Sequence, residues 1–248
     1  APPGGGAGAA RGAARAPRGR IRGGIRAGWP ATDARAGPML GGNGKGKGRG
    51  SGSDAWKYWD ERRAGNLSDD EWTAIEGGIA RSYGTCMTMG TASTMTAIAE
   101  AIGMTLPGAS SIPAADSNHV RMVAECGRRI VDMVWEDLTP ARILQRSAFE
   151  NAIAVAMSMG CSTNAIIHLI AMARRAGVDL TLDDFEAASR TVPVIANIRP
   201  SGDKYLMEDF YYAGGITALM NRIGDPLDLS APPGKAPTPG AHVPRTTE

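Results

Sequence analysis

The sequence has few aromatic residues and few cysteines. Of its 248 residues, 5% are aromatic and three are cysteines, namely Cys86, Cys126 and Cys161. The cysteines lie too far apart for a C-x-x-C motif and no H-x-x-x-H spacing occurs. The sequence therefore supports neither a disulfide framework nor a structural zinc site. No apolar run reaches the roughly 18 residues that a membrane-spanning helix needs, so we expect a cytoplasmic protein without a membrane segment.

Acidic residues are nearly missing from the first part of the chain. Residues 1–50 hold ten lysines and arginines but a single acid, Asp33, and 17 of the 33 glycines lie in residues 1–52. Residues 1–36 have low complexity and too few apolar side chains to offset the entropy of ordering. We predict that they are disordered or spurious, and that the proline-rich residues 230–248 form a disordered tail.

The arginine- and glycine-rich beginning also allows a second function, that of a non-catalytic helical interaction module with a nucleic-acid-binding arm. Arginines attract phosphates, and aromatic residues between them would stack on bases. Trp29 is the sole aromatic residue in residues 1–36. Nucleic-acid binding is therefore the weaker interpretation, and a steep salt dependence of RNA binding would be its test.

One cysteine stands in a turn of small and hydroxyl-bearing residues that covers residues 84–95. Gly84 and Gly90 allow close backbone approach, and a helix predicted over residues 92–102 directs its N-terminal N–H groups toward the turn. This setting favours a thiolate at Cys86. The simpler interpretation is that Cys86 is a small buried side chain in a tight turn between helices.

A second hydroxyl-rich turn, residues 160–164, opens a helix predicted to end at about Arg175. The N–H groups at the start of this helix, together with the hydroxyls of Ser162 and Thr163, could hold a substrate carboxylate. The alternative is that Ser162 or Thr163 simply caps the helix, and general frequencies favour it slightly.

The rest of the pattern is mainly helical. Capping boxes are predicted at Ser68 with Glu71 and at Ser147 with Glu150, and Thr181 is predicted to cap a short helix. The clearest predicted buried strand covers residues 192–198. A long helix is predicted from residue 117 to about residue 136. Its apolar positions are Val120, Val123, Ile130, Val131 and Val134.

Seven sequence blocks resemble the middle part of the dihydroxy-acid and sugar-acid dehydratases, an iron–sulfur family that includes dihydroxy-acid, 6-phosphogluconate, arabinonate and xylonate dehydratases. Their order along the chain makes the resemblance more specific than any single motif. The Cys86 block and the pair Tyr211-Tyr212 resemble the pentonate branch of the family. The blocks are Gly37–Leu40, Gly52–Lys57, Gly84–Met95, Leu106–Gly108, Ala148–Ile153, Ser162–Ala165 and Pro200–Gly215.

The resemblance implies a helix-rich α/β fold. Residues 37–229 would form an incomplete N-terminal α/β domain, and the C-terminal β-barrel domain of the family would be absent. It also implies a hydro-lyase that converts a sugar acid or a 2,3-dihydroxy acid into a 2-keto acid. The complete enzyme would be a homodimer or homotetramer.

The resemblance further implies an iron–sulfur cluster, 2Fe–2S or 4Fe–4S, and a Mg²⁺ ion. Cys86 matches the third of three cluster cysteines, and Ser162 and Thr163 are candidates for substrate binding. The family usually has glycine where this chain has Cys161. The other cluster cysteines, the Mg²⁺ ligands and the serine base match no part of this chain. No catalytic residue is therefore assigned, and the isolated chain is expected to be inactive.

Overall fold

Helices form most of the regular structure. The computed structural model describes residues 23–44, 47–50, 53–224 and 227. Residues 23–27 are helical, and Ala109–Ser111 form a 3-10 turn. The labelled elements are β1 (Gly42–Gly44), β2 (Lys47–Arg49), α1 (Ser53–Arg63), α2 (Asp69–Ile79), α3 (Thr91–Ala101), α4 (Ser117–Trp135), α5 (Pro140–Ile143), α6 (Arg146–Met159), α7 (Asn164–Ala176), α8 (Leu182–Thr191), α9 (Met207–Tyr212) and α10 (Gly215–Ile223). The predicted helix-rich fold is confirmed, but the only sheet within the described ranges is the antiparallel pair β1 and β2.

Helices α3 and α6 form the centre of the hydrophobic core. Residues 93–101 of α3 are all buried, as is nearly every residue of α6 after its first turn. Their many alanines let the two helices pack closely against each other, and α7, α8 and α10 cover them. Small and apolar side chains around most of the helix are typical of an interior position, and the buried polar exceptions in α3 are Ser93, Thr94, Thr96 and Glu100. In the described ranges, no helix has both the length and the apolar character that crossing a membrane requires.

A buried carboxylate ties the loop after α3 to this core. Glu100 Oε1 accepts a hydrogen bond from the N–H of Gly108 at 2.6 Å, and Oε2 accepts one from the N–H of Ser110 at 2.8 Å. Burial raises the pKa of Glu100, while hydrogen bonds from Ser110 and Gly108 act in the opposite direction. The buried carboxyl therefore fixes the path of the chain between α3 and α4.

Helix α4 agrees with the predicted long helix, but four of the five apolar positions named for it do not face the core. The valines at positions 120, 123, 131 and 134 are exposed. The buried face carries Met122, Cys126, Arg129 and Met133, with Arg129 Nη2 2.8 Å from Glu136 Oε2. Both faces carry apolar side chains at helical spacing, so periodicity alone could not choose between them. Arg129 lies on the buried face of α4. Because Glu136 pairs with its guanidinium group, this charge can be buried.

The buried strand predicted for residues 192–198 is also wrong. Val194 is 71% exposed, and within the described residues the segment makes a single β-bridge, from Ile198 to Tyr205. The N–H groups of Ile195 and Ala196 both donate to the carbonyl of Ser158, at 2.9 and 3.1 Å. The segment runs along the end of α6, and the described residues supply no neighbouring strand to pair with it.

The predicted helix caps have mixed outcomes. The capping box of Ser68 with Glu71 is confirmed, and Thr181 caps α8 as predicted. The box predicted at Ser147 is wrong, because α6 already begins at Arg146. Arg146 Nε lies 2.7 Å from Glu150 Oε1 and its Nη2 contacts Asp184. Glu150 is therefore engaged by the arginine rather than by the backbone at the helix start.

Part of the segment predicted to be disordered lies against the helices. The N–H of Asp33 donates to the carbonyl of Met104 at 2.8 Å, and His119 Nε2 lies 2.6 Å from the carbonyl oxygen of Arg35. Residues 1–22 and 228–248 lie outside the described residues. The predicted disorder of both ends and the domain boundaries at residues 36 and 229 therefore stay predictions.

Candidate functional site

The turn that carries Cys86 is built on a close approach of two backbone segments. Gly84 has a φ of +141°, and a Cβ at this position would lie 2.4 Å from the nitrogen of Met39. The N–H of Thr85 donates to the carbonyl of Gly37 at 3.0 Å, and the N–H of Met39 donates to the carbonyl of Thr85 at 2.8 Å. Only glycine fits residue 84, because a side chain there would meet backbone that cannot rotate away.

The other side of the turn is hydrogen-bonded to the first residue of α9 and to the loop before that helix. The N–H of Met207 donates to the carbonyl of Met87 at 2.8 Å, and the N–H of Met89 donates to the carbonyl of Arg199 at 2.7 Å. Met87 and Met89 are fully buried in the described structure. Two buried methionines and four backbone hydrogen bonds thus hold Cys86 in a fixed position between three parts of the chain.

The side chain of Cys86 faces a small group of hydroxyls. Its Sγ lies 3.0 Å from Thr88 Oγ1, and the hydroxyl of Ser93 lies 3.2 Å from the carbonyl oxygens of both Cys86 and Thr88. The thiol is half-buried. It is therefore held in place by the turn and still partly open to a ligand.

The two hydroxyl-rich turns predicted from the sequence meet at the N-terminal ends of α3 and α7. Thr91 Oγ1, in the first turn of α3, lies 3.0 Å from Ser162 Oγ and accepts a hydrogen bond from Asn164 Nδ2 at 3.0 Å. The N–H of Ser162 donates to Thr94 Oγ1 at 3.1 Å. The Cys86 turn and the Ser162 turn are therefore neighbours, although 71 residues separate Thr91 from Ser162.

The capping interpretation of the second turn is correct in position but not in hydrogen bonding. Thr163 is the N-cap residue of α7, yet no side chain makes a cap hydrogen bond there. The hydroxyl of Ser162 contacts Thr91 instead, and the side chain of Thr163 is exposed. The hydroxyl of Ser162 therefore makes a tertiary contact with α3 instead of a local cap. The start of α7 stays exposed and lies beside the Cys86 turn.

The comparison with known families gives a match over most of the chain. The model for the N-terminal domain of dihydroxy-acid and 6-phosphogluconate dehydratases matches residues 16–233. This chain belongs to that dehydratase family. The resemblance drawn from the seven sequence blocks is confirmed, and the matched range includes part of the segment predicted to have low complexity.

Several curated relatives are dehydratases of sugar acids or dihydroxy acids. The chain is 52% identical to a 6-deoxy-6-sulfo-D-gluconate dehydratase of Pseudomonas putida over 81% of its length and 34% of the relative's. It is 44% identical to an L-arabinonate dehydratase of Rhizobium leguminosarum bv. trifolii over 79% of its length and 34% of the relative's. It is 40% identical to a dihydroxy-acid dehydratase of Thermodesulfovibrio yellowstonii over 80% of its length and 36% of the relative's. The chain spans about a third of the length of these relatives.

Of the other two cysteines of this dehydratase-family chain, Cys126 is buried and Cys161 is half-buried against the hydrophobic core. Burial raises the pKa of the Cys161 thiol to about 12, although a hydrogen bond with Thr94 acts against this. Burial also raises the pKa of Cys126, which packs beside Met122 with the two sulfur atoms 3.6 Å apart. A metal binds a thiolate, so neither site favours a ligand. His168 is also buried.

In the part of the chain that the structure describes, the site contains the half-buried thiol of Cys86 and no complete set of metal ligands. Among the described residues, no group of three or more histidines, cysteines, aspartates or glutamates is placed to hold a metal ion. An iron–sulfur cluster is held by several cysteine thiolates. The described residues could therefore supply at most one thiolate to such a cluster, at Cys86, and do not fit the whole group.

Sequence reasoning missed the residue that joins the two turns. Thr91 is one of several hydroxyl-bearing residues near Cys86 in the sequence, and nothing in its spacing points to Ser162 or Asn164. The only available signal was that each hydroxyl-rich turn precedes a helix. Two helix N-termini that share a hydroxyl bridge bring their positive ends together, which favours an anionic group between them.

Proposed function

We propose that this chain is part of an iron–sulfur hydro-lyase that removes water from a sugar acid or a 2,3-dihydroxy acid and yields a 2-keto acid. The observation that carries the proposal is the contact between Thr91 and Ser162, which makes the turn that carries the half-buried Cys86 a neighbour of the turn that carries Ser162. Membership in the dehydratase family supports the type of reaction.

In this proposal Cys86 supplies one thiolate to the cluster. When bound, an iron–sulfur cluster with an iron that lacks a protein thiolate supplies a Lewis acid for the departing hydroxyl group. The turn positions the sulfur through the Gly84 approach and the hydroxyl of Thr88. The remaining thiolates, the Mg²⁺ ligands and the base would come from outside this chain.

Ser162 and Thr163 would bind the acid group of the substrate. The exposed Thr163 side chain and the start of α7 offer hydroxyl and N–H donors, and the positive end of the helix dipole favours a carboxylate there. Ser162 would hold these donors at a fixed position relative to the Cys86 turn, because its hydroxyl contacts Thr91. These residues orient a substrate and perform no chemical step themselves.

A sugar acid, with a pentonate as the first candidate, is the substrate class we favour. The resemblance of the Cys86 block and of Tyr211-Tyr212 to the pentonate branch supports it. Relatives named for sugar-acid substrates at 52% and 44% identity agree with this choice, although one of them is named for a sulfonated six-carbon acid. The complete enzyme would be a cytoplasmic homodimer or homotetramer.

The isolated chain should be inactive, because the catalytic base and most of the metal ligands match no part of it. A bound substrate could therefore not be positioned against these groups. The test is a pair of proteins: the isolated chain, and a chimera in which residues 37–229 replace the matching part of a related sugar-acid dehydratase. Both are assayed for 2-keto acid formation from arabinonate, xylonate, gluconate and 2,3-dihydroxy-3-methylbutanoate. The expected result is turnover by the chimera alone, with a sugar acid preferred. Turnover by the isolated chain would contradict the partial-enzyme proposal, and preference for the branched acid would contradict the substrate class.

A further inference from the structure

The hairpin of β1 and β2 lies against the turn that carries Cys86. The N–H of Gly42, at the start of β1, donates to Met87 Sδ at 3.0 Å, and this contact is buried. The N–H of Leu40, just before the hairpin, donates to Ser82 Oγ at 2.9 Å. A thioether sulfur is a weak acceptor. The stronger contacts of the hairpin lie at its two ends, where each end meets a carboxylate.

The first carboxylate binds the start of the hairpin. The N–H of Gly41 donates to Glu208 Oε2 at 2.6 Å. A Cβ at Gly41 would lie 2.9 Å from the same oxygen, so glycine lets the carboxylate reach the backbone. Glu208 follows Met207, whose N–H donates to the carbonyl of Met87 at 2.8 Å. Glu208 therefore connects the hairpin to the Met87 side of the Cys86 turn.

The second carboxylate binds the end of the hairpin. The N–H of Gly50 donates to Asp54 Oδ2 at 2.6 Å, and the same oxygen lies 3.2 Å from Arg199 Nη1. The carbonyl of Arg199 accepts a hydrogen bond from the N–H of Met89 at 2.7 Å. Asp54 and Arg199 therefore connect the hairpin to the Met89 side of the same turn.

The two connections end on either side of Thr88, whose hydroxyl lies 3.0 Å from Cys86 Sγ. A hydrogen bond to an ionised acceptor is about twice as strong as one between neutral groups. The side chains of Asp54 and Arg199 are exposed by only 25% and 27%, so salt screens their ion pair less than a pair in open solvent. An acid in the first turn of α1 is favourable in any helix, but that preference does not explain why Asp54 binds Gly50 and Arg199.

We propose that Asp54, Arg199 and Glu208 are positioning residues for Cys86. They hold the main chain on both sides of Thr88 against the hairpin, and this restricts the Cys86 sulfur to one position. The inference rests on the proposed function for the use of that sulfur as a thiolate ligand. The restriction itself is a property of the turn, and it can be measured without a cluster or a substrate.

The rate at which iodoacetamide alkylates Cys86, followed by mass spectrometry at fixed pH, tests the restriction. The variants are Asp54→Asn, Arg199→Gln and Glu208→Gln in the 248-residue chain. Each variant nearly keeps the size of the side chain and removes its charge. The Cys86 rate should rise about two- to tenfold in all three, because a charged hydrogen bond is replaced by a weaker neutral one and the turn opens more often.

The matched control is Glu61→Gln. Glu61 is an exposed acid of the same helix as Asp54, and its carboxylate accepts a hydrogen bond from Asn66 Nδ2 at 2.8 Å. This variant should leave the Cys86 rate unchanged. Alkylation of Cys126 in the same samples reports loosening of the whole fold, because Cys126 is buried in a separate apolar cluster. A merely structural role would raise both rates together, whereas positioning raises the Cys86 rate alone.

Opposite charges separate positioning from a direct electrostatic effect on the thiol. Asp54→Asn removes a negative charge and Arg199→Gln removes a positive one, so an electrostatic effect would move the two Cys86 rates in opposite directions. Loss of their shared contact raises both, and the double variant should then react no faster than the faster single variant. Unchanged rates, opposite changes, or a rise that Cys126 matches would overturn the positioning role. Failure of the chimera to bind a cluster would leave these rates untouched, so the two proposals fail separately.

Discussion

Replacing Gly84 with alanine should strongly destabilise the protein through the turn that holds Cys86. The backbone at Gly84 has a φ of +141°, and a Cβ would lie 2.4 Å from the nitrogen of Met39 and 2.7 Å from its Cα. Holding a non-glycine residue in such a conformation costs about 1–3 kcal/mol. Forcing the two backbone segments apart adds about 1–3 kcal/mol. The expected loss is therefore about 2–6 kcal/mol, a large part of the stability of a typical domain.

The matched control for this substitution is Gly65→Ala. Gly65 also has a positive φ, +79°, but a Cβ there would meet no atom within 4 Å. Gly65→Ala should therefore lower the free energy of unfolding only by the cost of the left-handed backbone conformation, about 1–2 kcal/mol. Urea denaturation of both variants, followed by circular dichroism, gives the two free energies of unfolding. A loss for Gly84→Ala no greater than that for Gly65→Ala would refute the argument that close backbone approach builds the turn.

Two further predictions concern buried titratable groups. Because burial raises the pKa of Glu100 above its ordinary value of 4.5, the folded chain binds this proton more tightly than the unfolded chain does. The free energy of unfolding should therefore fall as pH rises from that value through the raised pKa. Urea denaturation across this pH range should show a flatter profile for Glu100→Gln, and an unchanged slope would contradict the assignment. Because burial raises the pKa of the Cys161 thiol to about 12, very little of it is ionised at pH 8, and thiolates are the reactive form. Labelling of Cys161 by iodoacetamide, followed by mass spectrometry, should be slow at pH 8 and rise about tenfold per pH unit up to pH 11. Labelling at pH 8 as fast as that of an unperturbed thiol would show that Cys161 is not in an apolar site.

Local signals in the sequence predicted the helices well. The capping box at Ser68 and the cap at Thr181 appear as expected, and Gly65, Gly103 and Gly177 adopt the positive φ values that end helices. These features depend on residues only a few positions apart. They form wherever the surrounding chain does not compete for the same polar groups.

The failures of sequence reasoning arise where a distant residue competes with a local partner. Ser162 could have capped α7, but its hydroxyl contacts Thr91 of another helix. Glu150 could have completed a capping box, but its carboxylate forms an ion pair with Arg146 instead. In α4 both helix faces are apolar, so the buried face was decided by packing and not by spacing. Of the candidate site, the sequence indicated the Cys86 and Ser162 turns separately, and only the fold brought them together.

The most direct test of the proposed function is the iron content of the chimera with and without the Cys86 thiol. Cys86→Ser replaces sulfur with a harder oxygen ligand of similar size, which holds an iron–sulfur cluster poorly. Cys126→Ser is the control, because Cys126 is buried in a separate apolar cluster beside Met122. Iron, labile sulfide and visible absorbance are measured after anaerobic reconstitution and desalting, together with 2-keto acid formation. The account predicts that Cys86→Ser loses cluster and turnover while Cys126→Ser keeps both. Retention of a full cluster by a folded Cys86→Ser variant would contradict it.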